Sequence, residues 1–218
     1  MHIFSIDSKL MRMLGRIGDL IILNVLFLIT SLPVFTIGAS LTALFTICFR
    51  MGYDRESAIC KNYFQAFKDN FQQATEIFLI LVVIIAVLLL NMSLSFSRQD
   101  LGHYMTVPFG ILLILVLFVA AYAFPLLSQF NNRNLDVIRN SVLLSLGFFP
   151  RSFLLIGIMS LPVVMFIKNP IGFMQLSPIF LSIYFSAGAY LGTKIFNKIF
   201  TPYWHPDELE DSTVSEDE

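Results

Sequence analysis

The sequence predicts an all-α polytopic membrane bundle with four clear spans and a proline- and glycine-broken helical hairpin near the N-terminus. Amphipathic helices are expected on its cytoplasmic side. Three observations predict this class. Of the 218 residues, 56% are hydrophobic and only 13% are charged, whereas soluble domains run at roughly 45–50% apolar and about 25% charged. Residues 77–97 and 104–132 carry no charge, and 152–193 carries one, Lys168. Lipid offers no partner to a free backbone N–H or C=O, so uninterrupted apolar runs of this length must be helical. The net charge of −1 leaves no basic stripe for nucleic acid.

The first apolar region, residues 20–49, has 30 uncharged residues, too many for one straight span of about 20. Pro33 removes a backbone donor and Gly38 loosens the helix beside it. The region therefore reads as two helices joined by a break, either a full hairpin or a re-entrant one. Counting Lys and Arg favours the hairpin. With the break outside and 50–68 inside, 12 of the 14 basic residues fall on the cytoplasmic side. Both termini are then cytoplasmic, and six helical segments are embedded. A cleaved signal peptide is a weaker reading, because the apolar run continues through 41–49 where polar mature sequence would begin.

The remaining spans are expected at 76–97, 104–129, 151–167 and 171–193. The third looks short, since 17 residues of helix cover about 25 Å. Between spans, Ile59, Tyr63, Phe64, Phe67, Phe71 and Ala74 recur at helical spacing opposite Lys61, Lys68 and Asp69. This predicts one amphipathic helix over 59–74 in the inner interface. Leu135, Ile138, Val142 and Leu146 predict a second over 135–149. Pro108 is expected in the first turn of its helix, and Pro125 and Pro162 are expected as interior kinks. Gly188 and Gly192 would allow close helix approach. Tyr203 and Trp204 suit an interfacial belt. Residues 1–200 form a single membrane domain, and 201–218, with seven acids after Pro206 and no base, an acidic, disordered cytoplasmic tail.

Candidate functional or structural positions are few. Asp19 lies at the inner edge beside Arg16. Glu76 is expected near a helix N-terminus, where the macrodipole favours an anion. Asn24 and Asn91 lie deeper, where amides cross-link helices. The break supplies Pro33, Thr36, Gly38 and Ser40. Cys48 and Cys60 stand 12 apart, and His2, His103 and His205 are scattered, so no metal-ligand spacing is present. Neither a catalytic motif nor a nucleotide-binding motif is present. No catalytic residue, cofactor or metal is expected, and the chain does not read as an enzyme.

Residues 14–24 (LGRIGDLIILN) continuing into 31–44 (SLPVFTIGASLTAL) resemble the bacterial YesL-type family of uncharacterised membrane proteins. Residues 64–75 (FQAFKDNFQQAT) resemble its second block, and Phe124-Pro125-Leu126 with Phe130-Asn131-Asn132 a third. The likeness covers roughly residues 4–200. It implies a small bacterial inner-membrane protein of the kind often encoded beside carbohydrate uptake systems, and it carries over no catalytic residue. The expected function is an accessory component associated with carbohydrate uptake, with the lipid bilayer and permease subunits of an importer as partners. The alternative is an independent small-solute transporter or channel built on the broken hairpin, functioning as a homo-oligomer such as a homodimer.

Overall fold

The computed structural model describes residues 4–52, 58–96, 102–130 and 133–200. The acidic stretch 201–218, with Tyr203 and Trp204, lies outside the described residues, as does His2. Among the described residues the fold is entirely helical. In chain order the α-helices are α1 (Phe4–Thr30), α2 (Ile37–Gly52), α3 (Ile59–Asp69), α4 (Phe71–Phe96), α5 (Gly102–Leu127), α6 (Asn134–Gly147), α7 (Phe149–Lys168), α8 (Pro170–Ile179) and α9 (Phe185–Phe200). A 3-10 turn, Val34–Thr36, precedes α2, and a π-helical segment, Phe180–Tyr184, joins α8 to α9.

Among the described residues, five stretches are long and apolar enough to cross a membrane: Met13–Thr30, Val34–Gly52, Phe71–Ser95, Thr106–Leu127 and Pro170–Asn197. The chain is thus an all-α membrane bundle. The span expected at 151–167 lies within α7, which starts two residues earlier because Phe149 and Pro150 join its first turn. At 20 residues it covers about 30 Å, but it is not among those five stretches.

The helices differ in what surrounds them. On α4, Val83 and Leu90 are exposed, as Val107 and Ile111 are on α5. An apolar side chain facing outward is at no disadvantage in lipid. By contrast, 72% of Val34–Gly52 is buried, including Ser40, Thr42 and Thr46. These hydroxyls donate to the carbonyls of Thr36, Gly38 and Thr42 at 3.0, 3.0 and 2.9 Å. Each back-bonds within the turn, so a polar helix is buried without unpaired donors.

Several expectations are corrected. The amphipathic stretch 59–74 is not one helix. It kinks at Asn70, whose backbone (φ −100°, ψ 2°) leaves the helical range, so Phe71 and Ala74 belong to α4. Helix α3 packs along α2 and α1, with Tyr63 and Ala66 buried. The stripe predicted on α6 is also displaced. Val137, Ser141 and Ser145 are buried, while Leu135 and Leu146 face outward. Ser141 donates to the Val137 carbonyl at 2.7 Å, and its small size lets α6 approach closely. Pro108 is not in a first turn, because α5 begins at Gly102.

The π-helical segment has a local cause. Pro178 cannot donate to the carbonyl four residues before it. That carbonyl, on Met174, accepts from Ser177 Oγ at 2.7 Å. The π segment begins two residues later. Gly188, on the turn that follows, stands where a Cβ would meet Ile158 Cγ2 at 3.3 Å. This glycine thus serves the approach of α9 to α7 within the chain.

Candidate functional site

The N-terminal break is bonded by Thr30, Thr36 and Tyr63, while Ser31 Oγ within it is buried without a hydrogen-bond partner. α1 ends at Thr30, and Pro33 (φ −74°, ψ 115°) caps the 3-10 turn. Thr36 is buried, and its Oγ1 lies 2.6 Å from both the Thr30 and Pro33 carbonyls, to which it donates. The Tyr63 hydroxyl reaches in from α3, 2.7 Å from Thr30 Oγ1 and 3.4 Å from the Ser40 carbonyl oxygen. Burial is the larger influence on this phenol and pushes its pKa up to about 12, against the smaller lowering by Thr30 and Ser40. The expected hairpin put the break on the face opposite residues 50–68. Instead Tyr63 joins the two, because α3 folds back along α2 to the level at which α2 starts.

Gly38 is the point of closest approach. A Cβ there would lie 2.5 Å from the Ala74 carbonyl oxygen, 2.7 Å from Phe78 Cβ and 3.1 Å from Phe124 Cε1. The residue is helical, within the first turn of α2. It admits α4 rather than loosening the helix.

A second polar node joins α1 to the π segment. Asn24 is buried, and its Nδ2 donates to Leu181 O at 2.8 Å and Phe180 O at 3.4 Å. Its Oδ1 accepts from the Ser186 N–H at 3.1 Å. Ser186 Oγ donates to Leu20 O at 2.7 Å, and Arg16 Nη1 to the Tyr190 hydroxyl at 2.8 Å. These contacts run in opposite order along the two helices, so α1 and α9 pair antiparallel. The amide thereby bonds backbone groups within and just after the π segment.

The other sequence candidates fall elsewhere. Asn91 does not cross-link helices: its Nδ2 donates to Val87 O of the same helix at 2.8 Å. Glu76 is not in the first turn of α4, which starts at Phe71. Its carboxylate accepts from Asn134 Nδ2 at 2.7 Å and Gln72 Nε2 at 3.2 Å, joining α4 to the start of α6. Asp19 is half-buried on α1, next in sequence to Leu20 of the second node.

Two cavities stand out. One, of about 340 Å³, is apolar and lies between α2, α4, α5 and α7, with Phe45, Leu81 and Ala121 among its walls. The other, of about 320 Å³, is polar and lies where α2, α3 and the end of α5 meet. Arg50, Asn62, Gln65, Asp69, Asn70 and Gln129 line it. None of these was among the sequence candidates. The signal was present, however, as a density of amides at 62–73 and 129–134 in an otherwise apolar chain.

Residues 20–92 match a family model described as "Protein of unknown function, DUF624". The match covers about a third of the chain. No curated protein and no solved structure matches it. The DUF624-like stretch runs from the buried part of α1 through the break, α2 and α3 into α4. It thus contains Asn24, Thr36, Gly38, Tyr63 and most of the polar cavity's lining.

Proposed function

We propose that the chain is a non-enzymatic accessory component of a bacterial inner-membrane assembly, docking the permease subunits of a carbohydrate importer. The observation that carries the reading is the closure of the break. Transporters that use interrupted helices aim the freed backbone groups at their solute or coupling ion. Here the Thr30, Pro33 and Ser40 carbonyls have hydroxyl partners within the chain. A break sealed in this way supports a scaffold over an independent transporter or channel built on it. The carbohydrate association rests on the resemblance of residues 14–44 and 64–75 to the YesL-type family. Placement of the start of α1 and the end of α9 on one side is supported by their antiparallel order, and the cytoplasmic side by the count of Lys and Arg.

The test is purification of the tagged chain from its native membrane in gentle detergent, with mass spectrometry of what accompanies it. Importer permease subunits in near-equal amount are expected. Recovery of the chain alone, or only with itself, would overturn the reading. Labelling of a cysteine placed at His2 from outside intact cells would overturn the orientation.

A further inference from the structure

We propose that the polar cavity between α2, α3 and the end of α5 binds a neutral, polyhydroxylated small molecule, a sugar or sugar alcohol. The inference goes beyond the accessory role and stands without it, since a ligand site serves a subunit or an independent protein equally.

The lining chemistry carries it. One cation, Arg50, and one anion, Asp69, face the cavity, so the formal charges of its walls cancel. A net anion would meet the Asp69 carboxylate, and a net cation the Arg50 guanidinium. The four amides of Asn62, Gln65, Asn70 and Gln129 outnumber the two charges. Each amide both donates and accepts, which is what a hydroxyl requires of a partner. Asn70 Nδ2 donates to Ala66 O at 3.0 Å and Gln129 Nε2 to Ser128 O at 3.2 Å, so these two amides offer a ligand their carbonyl oxygens, to which the hydroxyls of a polyol can donate while its other hydroxyls meet Arg50, Gln65 and Asp69. The side chains of Arg50, Gln65 and Asp69 have no hydrogen-bond or ion-pair partner among the described residues, so their capacity is not already spent. Phe130 lines the same cavity and offers an apolar surface for the C–H face of a sugar ring. At about 320 Å³ the space falls within the range of roughly 300–1,000 Å³ typical of small-molecule sites.

The experiment is thermal unfolding of the purified full chain in detergent, titrated separately with glucose, maltose, sorbitol, glycine and inorganic phosphate. A ligand that binds only the folded state raises the midpoint in a saturable way. Saturable stabilisation by at least one of the three neutral polyols is expected. Gln65→Ala and Asp69→Ala should each weaken it about threefold to tenfold, as expected for loss of a hydrogen bond within the site. Both side chains are exposed, so the unliganded midpoints should match the parent, which separates lost binding from lost folding. Three outcomes overturn the proposal: no saturable stabilisation by any polyol, stabilisation unchanged in both variants, or stabilisation by glycine or phosphate alone. None of them depends on which proteins co-purify.

Discussion

Replacing Gly38 by alanine tests the packing argument most directly. The added methyl would sit 2.5 Å from the Ala74 carbonyl oxygen and 2.7 Å from Phe78 Cβ. Non-bonded carbon contacts relax at about 3.5–4.0 Å, so α2 and α4 must separate by about 1 Å. The obstacle is backbone and a Cβ rather than a flexible side-chain end, so no rotamer change relieves it. Overpacking of this kind costs about 1–3 kcal/mol. The better helix propensity of alanine returns at most about 1 kcal/mol. The net loss is then about 1–2 kcal/mol, or a melting midpoint lower by roughly 2–8 °C for a chain of this size. Gly18→Ala on α1 is the control: nothing lies within 4 Å of its Cβ position, and it should gain about 0.5–1 kcal/mol. The assay is thermal unfolding of both variants in the same detergent. If Gly38→Ala melts at or above the parent temperature, the close approach of α2 to α4 is wrong.

Other outcomes follow from the same contacts. Asn24→Leu removes the amide's bonds to Leu181 O and the Ser186 N–H from a buried position and should cost about 1–3 kcal/mol; Asn91→Leu, whose amide bonds only its own helix, should stay within about 0.5 kcal/mol in the same unfolding measurement. Tyr63→Phe removes the hydroxyl that joins α3 to the break and should lower stability by about 1 kcal/mol. The raised Tyr63 pKa makes the folded state hold its proton longer than the unfolded one. Its contribution is therefore full below the unfolded value of about 10 and lost as the pH rises toward about 12. Titrating tyrosinate absorbance against unfolding should show that loss in the parent and not in Tyr63→Phe. Pro33→Ala, at an exposed position whose φ alanine can adopt, should change stability by less than about 1 kcal/mol.

What was legible in the sequence was whatever depends on composition along the chain. A run without charge must be helical wherever lipid surrounds it, so the spans, the break at Pro33 and the fold class follow from residues 20–49, 77–97, 104–132 and 152–193 alone. Asn24 was singled out by depth, because an amide in an apolar run needs a partner. What remained hidden depends on which surfaces meet. Gly38 read as a helix loosener, but its lack of a Cβ matters because Ala74 and Phe78 press against it. The apolar stripe on α6 misled because small Ser141 and Ser145, whose hydroxyls bond back within their own helix, take the contact face, while Leu135 and Leu146 stay exposed. The polar cavity draws Arg50, Asp69 and Gln129 from three separate stretches, and no spacing rule links positions so far apart. The sequence by itself determined that the chain is a helical membrane bundle broken at Pro33. Only the tertiary structure decided that α3 returns to seal that break and leaves a polar cavity beside it, because the direction of a short helix is fixed by the surface it buries and not by its own periodicity.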